Sequence, residues 1–332
     1  MGAMVERAVR RAGLGLALFM LTGAIGVSAA PWHFASPFPA GSLPVVNATR
    51  MAADLRALSG GAVDFRVSDG AHSPPHLKIM SAVGDGRLQA GEFMLAAQRE
   101  LHPVMTVDTI PFLAITWFKA RKLSEESLKE IDELLEEEGI TILFSSPLPA
   151  PRVFSSRPIK ALADFKGLKL WAPNPQLERF AELVEAEPVN IKASRLPAAF
   201  KAGQVEAMFA SPEAGRAMAA WQFAPHLLNV PAWMPKSAVI VNTSLYRSLK
   251  EDQRRAMDEV VKLSEERAWR TAQHAAEAAV VALTEAGVSV HTASPAFRQE
   301  LLAIGRKLTA EWTDESGDVG IAVVDRFLSL QL

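Results

Sequence analysis

Short runs of alternating or continuous apolar residues are separated along this chain by stripes of helical period. Residues 63–67, Val-Asp-Phe-Arg-Val, alternate apolar and polar side chains, the period-two pattern of a strand. Residues 48–58 before them read as a helix ended by Ser59-Gly60-Gly61. Leu77, Met80 and Val83 fall on one helical face that Gly84 and Gly86 terminate, and residues 88–95 then read as a strand and its exit. Ser124 is the expected start of a helix with Leu128, Ile131, Leu134 and Leu135 on its stripe; Gly139 stops it, and residues 140–144 follow as a strand.

The second half repeats the scheme. Residues 167–172 predict a strand, 176–185 a helix, 189–191 a strand, 196–202 a short helix ended by Gly203, and 205–210 a strand. Residues 81–88 and 198–205 each run from a small-residue helix through a glycine cap into a strand, which suggests one such unit in each of two lobes. Helices alternating with short apolar strands predict an α/β architecture with largely parallel sheets. Ser248 to Glu251 reads as a capping box, and no Gly or Pro interrupts residues 250–286. A helix of that length would be about 55 Å long at ~1.5 Å per residue. It must bridge two lobes or break.

The chain has 332 residues, too many for one compact core to be the default. Its formal net charge of −2 and the absence of a Lys/Arg stripe give no nucleic-acid footprint. Cysteine is absent, which excludes thiol catalysis, cysteine-bound zinc and disulfides without fixing the compartment. Arg7, Arg10 and Arg11 precede an apolar run from Leu14 to Val27 and then Ser28-Ala29-Ala30-Pro31, the order of a secretory signal peptide with cleavage after Ala29. The run is shorter than the ~20 residues that span a bilayer, and an uncleaved anchor is the competing reading.

Enzyme motifs are missing: there is no nucleophile elbow, phosphate loop or zinc-protease helix. A triad assembled from distant residues stays open as a less favoured alternative. Pro74 and Pro75 between His72 and His76 forbid the helical turn that would align two imidazoles on a metal. No metal or other cofactor is expected. Ligands in open α/β sheets bind beyond the carboxyl ends of strands. There the sequence offers Glu92 and Phe93, Trp171 with Asn174, Ser211 with Glu213, and Trp233 between two prolines. For each aromatic, a place in the core is the competing reading.

Asp164-Phe165-Lys166-Gly167-Leu168-Lys169-Leu170, followed by Ala172-Pro173-Asn174-Pro175, resembles the central D-L-K-G-L-K-I-R segment and turn of TRAP transporter substrate-binding proteins of the DctP type. Trp32 to Ser36 with Pro39-Ala40-Gly41 resembles the family's first strand and loop, Asp108 to Leu113 its D-x-P-F-L, Glu187-Pro188-Val189 its P-V strand, and Val239 to Asn242 the strand before its long helix. The resemblance runs in order over residues 31–315. It implies a two-lobed periplasmic-binding-protein fold with a ligand cleft between the lobes, a long helix bridging both, and no catalysis. Residues 30–151 and 240–276 would form lobe I, and 152–239 and 277–332 lobe II, after a signal peptide at 1–29. It also implies a small organic acid as ligand, handover to a small and a large TRAP membrane subunit, a mature protein that is periplasmic and not membrane-inserted, and a monomer or dimer. Phe38, in the loop after the first strand, joins the expected ligand-binding set.

One departure bears on the ligand. Where the family places an arginine that pairs with the ligand carboxylate, this chain has Trp171. Arginine brings a planar fork of donors, tryptophan one N–H and an apolar face. Arg152, just where the chain should cross between lobes, is the candidate replacement, with Trp171 stacking on an apolar part of the acid. The alternative is an aromatic cage for a cationic or neutral ligand, with Glu92 or Glu213 as counter-charge.

Overall fold

The computed structural model describes residues 31–330. The expected signal peptide lies outside the described residues. The chain opens with β1 (Trp32–Ala35), α1 (Leu43–Leu58), β2 (Phe65–Ser68), α2 (His76–Gly84) and β3 (Ala90–Met94), followed by a 3-10 segment, Pro103–Thr109. α2 turns Ile79, Ala82 and Val83 inward, and Leu77, expected on its buried face, is exposed. α3 (Trp117–Glu137) begins two turns before the expected Ser124. Its cap is Thr116, whose hydroxyl accepts the N–H of Lys119 at 3.2 Å. Ser124 sits inside the helix because β4 (Ile140–Pro147) supplies a partner, the Ser145 hydroxyl at 2.7 Å. Leu128 faces solvent, while Ile131 and Leu135 are buried.

Next come β5 (Arg152–Ser155), β6 (Lys169–Trp171), α4 (Pro175–Leu183), β7 (Glu187–Val189), α5 (Leu196–Lys201), β8 (Ala207–Ala210), α6 (Pro212–Ala217) and β9 (His226–Leu228). The chain closes with β10 (Lys236–Asn242), α7 (Thr243–Arg247), α8 (Glu251–Glu285), β11 (Ser289–His291) and α9 (Pro295–Ser329). Ser248 does not cap α8. It ends α7, donating its hydroxyl to Leu245 O, and α8 is closed by Gln253, whose side-chain oxygen accepts the Lys250 N–H at 3.0 Å.

Two mixed sheets result, ordered β2-β1-β3-β10-β4 and β11-β9-β5-β8-β6-β7. Each is parallel except for one strand: β10 runs antiparallel to β3 and β4, and β5 to β8 and β9. These two strands are where the chain enters each sheet from the other. The units at 81–88 and 198–205 prove equivalent in place, since α2–β3 and α5–β8 each deliver a strand beside the antiparallel one. The two crossings are tied together by Leu148 N–H to Pro235 O at 2.7 Å and Ala232 N–H to Pro151 O at 2.9 Å.

The protein is two-lobed, and α8 spans both bodies as one unbroken helix of 35 residues. Met257 and Val260 pack with Phe34 and Val239 of the first sheet, and Leu283 packs with Met208 and Leu227 of the second. α9 is broken at Gly317 (φ 60°, ψ −154°), and both its arms bury apolar residues in a cluster that includes Leu135 of α3 and Phe180 of α4. No helix among the described residues is long and apolar enough to cross a membrane.

Candidate ligand-binding site

Strand direction fixes where side chains can meet a solute. In the second sheet β6 runs parallel to β8 with Trp171 beside Met208, and β5 runs against β8 with Arg152 opposite Ala210. The start of β5 therefore lies at the carboxyl ends of β6 and β8. Arg152, Trp171, Asn174, Ser211 and Glu213 are thus brought along one edge, the edge at which open α/β sheets bind ligands.

Local chemistry explains several of these side chains. The Asn174 side-chain oxygen accepts Leu177 N–H at 2.9 Å and caps α4, with Pro175 in the first helical position. The Ser211 hydroxyl accepts Ala214 N–H at 3.1 Å and caps α6. Each cap uses an oxygen lone pair, leaving the amide NH2 and the hydroxyl hydrogen outside that bond. Trp171 donates its indole N–H to Ile191 O at 2.9 Å and packs against the apolar cluster that includes Leu196 and Phe200.

Arg152 is buried, yet its guanidinium bonds only Ala150 O at 3.3 Å, and its Nε has no partner. Both carboxylate oxygens of Glu213 are likewise buried without a partner. Burial works against the Arg152 charge, and the charge of Glu213 works for it. The two charges lie near one another without forming a direct bond, and buried polar groups in that condition are uncommon in folded proteins. A solute with an acceptor for the guanidinium and a donor for the carboxylate would satisfy both.

Trp233 lies in the second crossing, its ring 5.2 Å from that of Phe209 on β8. Phe38 stands on the other body, edge-on to His76 at 4.9 Å. Glu92 and Phe93 do not join the site surface. Neighbouring residues of a strand point to opposite faces, and β3 is covered on both. Phe93 is in the core with Ile79 and Ala238, which corrects its expected role. Glu92 is 1% exposed, with Ser36 Oγ at 2.5 Å and Ser237 Oγ at 3.4 Å from its two oxygens. Burial raises its pKa to about 7, so the carboxyl is far from the free counter-charge the sequence suggested.

Sequence reasoning missed a second buried charge pair. Asp108 and Lys236 are both almost wholly buried, with Nζ to Oδ2 at 3.8 Å, and Asp108 Oδ2 also accepts Lys236 N–H at 2.6 Å. A lysine opening an apolar strand straight after Pro235 was the only signal. Concavities of about 960 Å³ between α1 and β2, about 580 Å³ at the start of α9 and about 490 Å³ between the arms of α9 include neither Arg152, Trp171 nor Glu213. Strand direction and unpaired charge, not cavity volume, identify the candidate site.

Two α/β bodies joined by paired crossings, with unmatched charges at strand carboxyl ends, have the architecture of a two-lobed solute receptor. The chain belongs to the DctP family, bacterial extracellular solute-binding protein family 7, which matches residues 34–315. Among solved structures it is similar to the Bordetella pertussis extracytoplasmic solute receptor DctP7, which binds pyroglutamic acid (27% identity, TM-score 0.76, 90% of this chain and 100% of that one). It is similar to the same organism's DctP6, also binding pyroglutamic acid (27%, 0.78, with 90% and 100% covered). A TRAP solute-binding protein from an unidentified marine microbe, specific for pyroglutamate, is 25% identical with TM-score 0.75 and 91% and 99% covered. No curated protein sequence matches.

Proposed function

We propose that this protein is exported to the periplasm, captures a small cyclic or otherwise compact monocarboxylic acid of the pyroglutamate type, and hands it to the two membrane subunits of a TRAP transporter. The observation that carries the reading is the unmatched pair of Arg152 and Glu213. A carboxylate would take the guanidinium, and the lactam N–H of pyroglutamate would donate to Glu213, while the indole faces of Trp171 and Trp233 offer apolar surface for a ring. Three relatives at 25–27% identity bind pyroglutamate, which supports the same ligand class. The lobe boundary at 151/152 is supported by sheet membership, because β4 lies in one sheet and β5 in the other; β10 joins the first sheet from Lys236 onward, which favours a second boundary before residue 236 rather than at 239/240.

The reading is tested by calorimetric titration with L-pyroglutamate, succinate and a quaternary amine. L-pyroglutamate should bind most tightly, and Arg152→Ala should weaken it at least ~10-fold, about 1.4 kcal/mol. An unchanged Kd rejects the role of Arg152. The unpartnered Glu213 also suits a cation. Tight amine binding abolished by Glu213→Gln would establish that second reading instead.

A further inference from the structure

The pair Asp108–Lys236 sits at the mechanical centre of the molecule, outside the strand-end site. Lys236 is the first residue of β10, where the second crossing enters the first sheet. Asp108 belongs to the segment 103–109, and the loop after it touches the same crossing again, since Phe112 donates its N–H to Ala232 O at 2.6 Å. Residues 108 and 112 thus hold the crossing at residues 236 and 232, at both ends of the stretch that contains Trp233. Phe112 has φ of 61°, an outlier for a bulky residue, and its ring lies 5.7 Å from that of Phe180 on α4.

The loop is itself fixed from behind. Trp312 of α9 donates its indole N–H to Thr106 Oγ1 at 2.9 Å. α9 approaches the loop so closely that a Cβ on Gly305 would stand 2.8 Å from Phe112 O. A rigid loop therefore grips a crossing that any hinge motion of the lobes must bend.

The chemistry of the grip is unusual for a merely cohesive contact. The ammonium and carboxylate are fully withdrawn from water but stand 3.8 Å apart, and Asp108 Oδ1 has no partner. Desolvation raises the carboxyl pKa to about 6 and lowers that of the lysine, so burial opposes both charges. Replacing such a pair by apolar or neutral groups of similar shape is often neutral or stabilising, and the best-attested use of a buried pair is to specify register.

We propose that Asp108 and Lys236 are positioning residues for lobe closure, pinning the second crossing to the loop 108–112 so that the lobes shut over the strand-end site in one register. The proposal rests on reading that edge as the ligand site. It separates stability from function: a neutral replacement should leave the fold as stable as before while widening the range of lobe orientations. The apparent affinity for a ligand that needs the closed state falls with the fraction of molecules able to close correctly.

The absence of cysteine allows spin labels to be placed through Ser81→Cys on α2 and Lys201→Cys on α5, both exposed and on different sheets' helices. In the full chain, the Asp108→Asn/Lys236→Met double variant should melt no lower than the parent, show a broader label-to-label distance distribution, and bind L-pyroglutamate at least ~5-fold more weakly. An unchanged distribution with unchanged affinity overturns the pin, as does a loss of affinity that merely follows a loss of melting temperature. If the double variant does not fold, Asp108→Asn keeps an acceptor for the Lys236 N–H but leaves the ammonium unpaired and should melt lower, so it is read by its label-to-label distribution in the folded state, and an unchanged distribution overturns the pin. If the parent itself does not bind L-pyroglutamate, the ligand assignment fails, and the distance distribution still decides the pin.

Discussion

Trp171 donates its indole N–H to the carbonyl oxygen of Ile191 at 2.9 Å, which fastens the end of β6 to the segment following β7 and holds the ring against the second sheet's apolar cluster. Trp171, which the sequence resemblance sets where an arginine is expected, is therefore part of the wall of its lobe as well as a candidate ligand surface. Trp171→Arg trades that bond and packing for a second guanidinium near Arg152. Charged hydrogen bonds contribute roughly 1.5–3 kcal/mol, so affinity for a dicarboxylate such as succinate should rise by about 10- to 100-fold. Thermal stability should fall, because the Ile191 carbonyl loses its donor. Calorimetry with succinate checks this, and an unimproved Kd would remove Trp171 from the account of ligand choice.

Glu92 gives a pH-dependent test of the first sheet. Its folded pKa of about 7 exceeds the ordinary 4.5, chiefly through desolvation. The folded state thus binds more protons than the unfolded chain between those values, and stability falls as pH rises from 4.5 to 7. Glu92→Gln keeps a polar group facing the Ser36 and Ser237 hydroxyls and removes the ionisation. The variant should gain on the parent as pH rises, by at most about 3 kcal/mol above pH 7, using ~1.4 kcal/mol per pKa unit. Urea denaturation at pH 5 and pH 8 measures the difference. A gap that does not widen with pH would show that the carboxyl ionises without penalty.

The sequence was informative where a single element decides its own state. Gly139, Gly203 and Gly287 end helices at the expected places, and α8 differs by one residue at each end from the uninterrupted run 250–286. It was uninformative where a partner decides. Ser124 looks like a cap, yet becomes interior because Ser145 of β4 answers its hydroxyl. α9 escaped notice because Gly305, Gly317 and Gly320 dilute its pattern, although Ser294-Pro295 carries a start signal and the Ser294 hydroxyl does accept Phe297 N–H. Within the candidate site, a strand exit pointed to Glu213 and the expected crossing between lobes to Arg152, but Glu92 and Phe93 lie one residue apart on a strand covered on both faces. Asp108 and Lys236 are 128 residues apart, and nothing local announces a pair.

His226 on β9 and His291 on β11 face each other at 3.1 Å between Nδ1 and Nε2. Such a bond needs one ring to donate and the other to accept, so it fails when both are protonated. Burial, His291 and Lys160, in that order, lower the His226 pKa. The unfolded chain therefore takes up its proton first. This contribution to stability is complete above pH 6.5 and is lost as pH falls through the lowered folded value. His226→Gln should flatten the decline of melting temperature between pH 7 and pH 5. Parallel pH profiles for parent and variant would mean the pair does not titrate with unfolding.

Gly317 breaks α9 with φ of 60° and ψ of −154°, a combination essentially confined to glycine. The break lets the last arm turn so that Val323, Val324 and Phe327 are buried and Arg326 reaches Glu130 at 2.7 Å. A Cβ at Gly317 would meet nothing within 4 Å, so Gly317→Ala tests backbone strain without a steric clash. The alanine variant should lose roughly 1–3 kcal/mol, read as a lower midpoint in urea. Should the helix instead straighten to relieve the strain, the Arg326–Glu130 contact and the groove between the arms would be lost together, and Arg326→Ala would no longer add to the destabilisation. Full stability of Gly317→Ala would mean that another backbone conformation at 317 accommodates the same turn, and that glycine is not what sets the angle between the two arms.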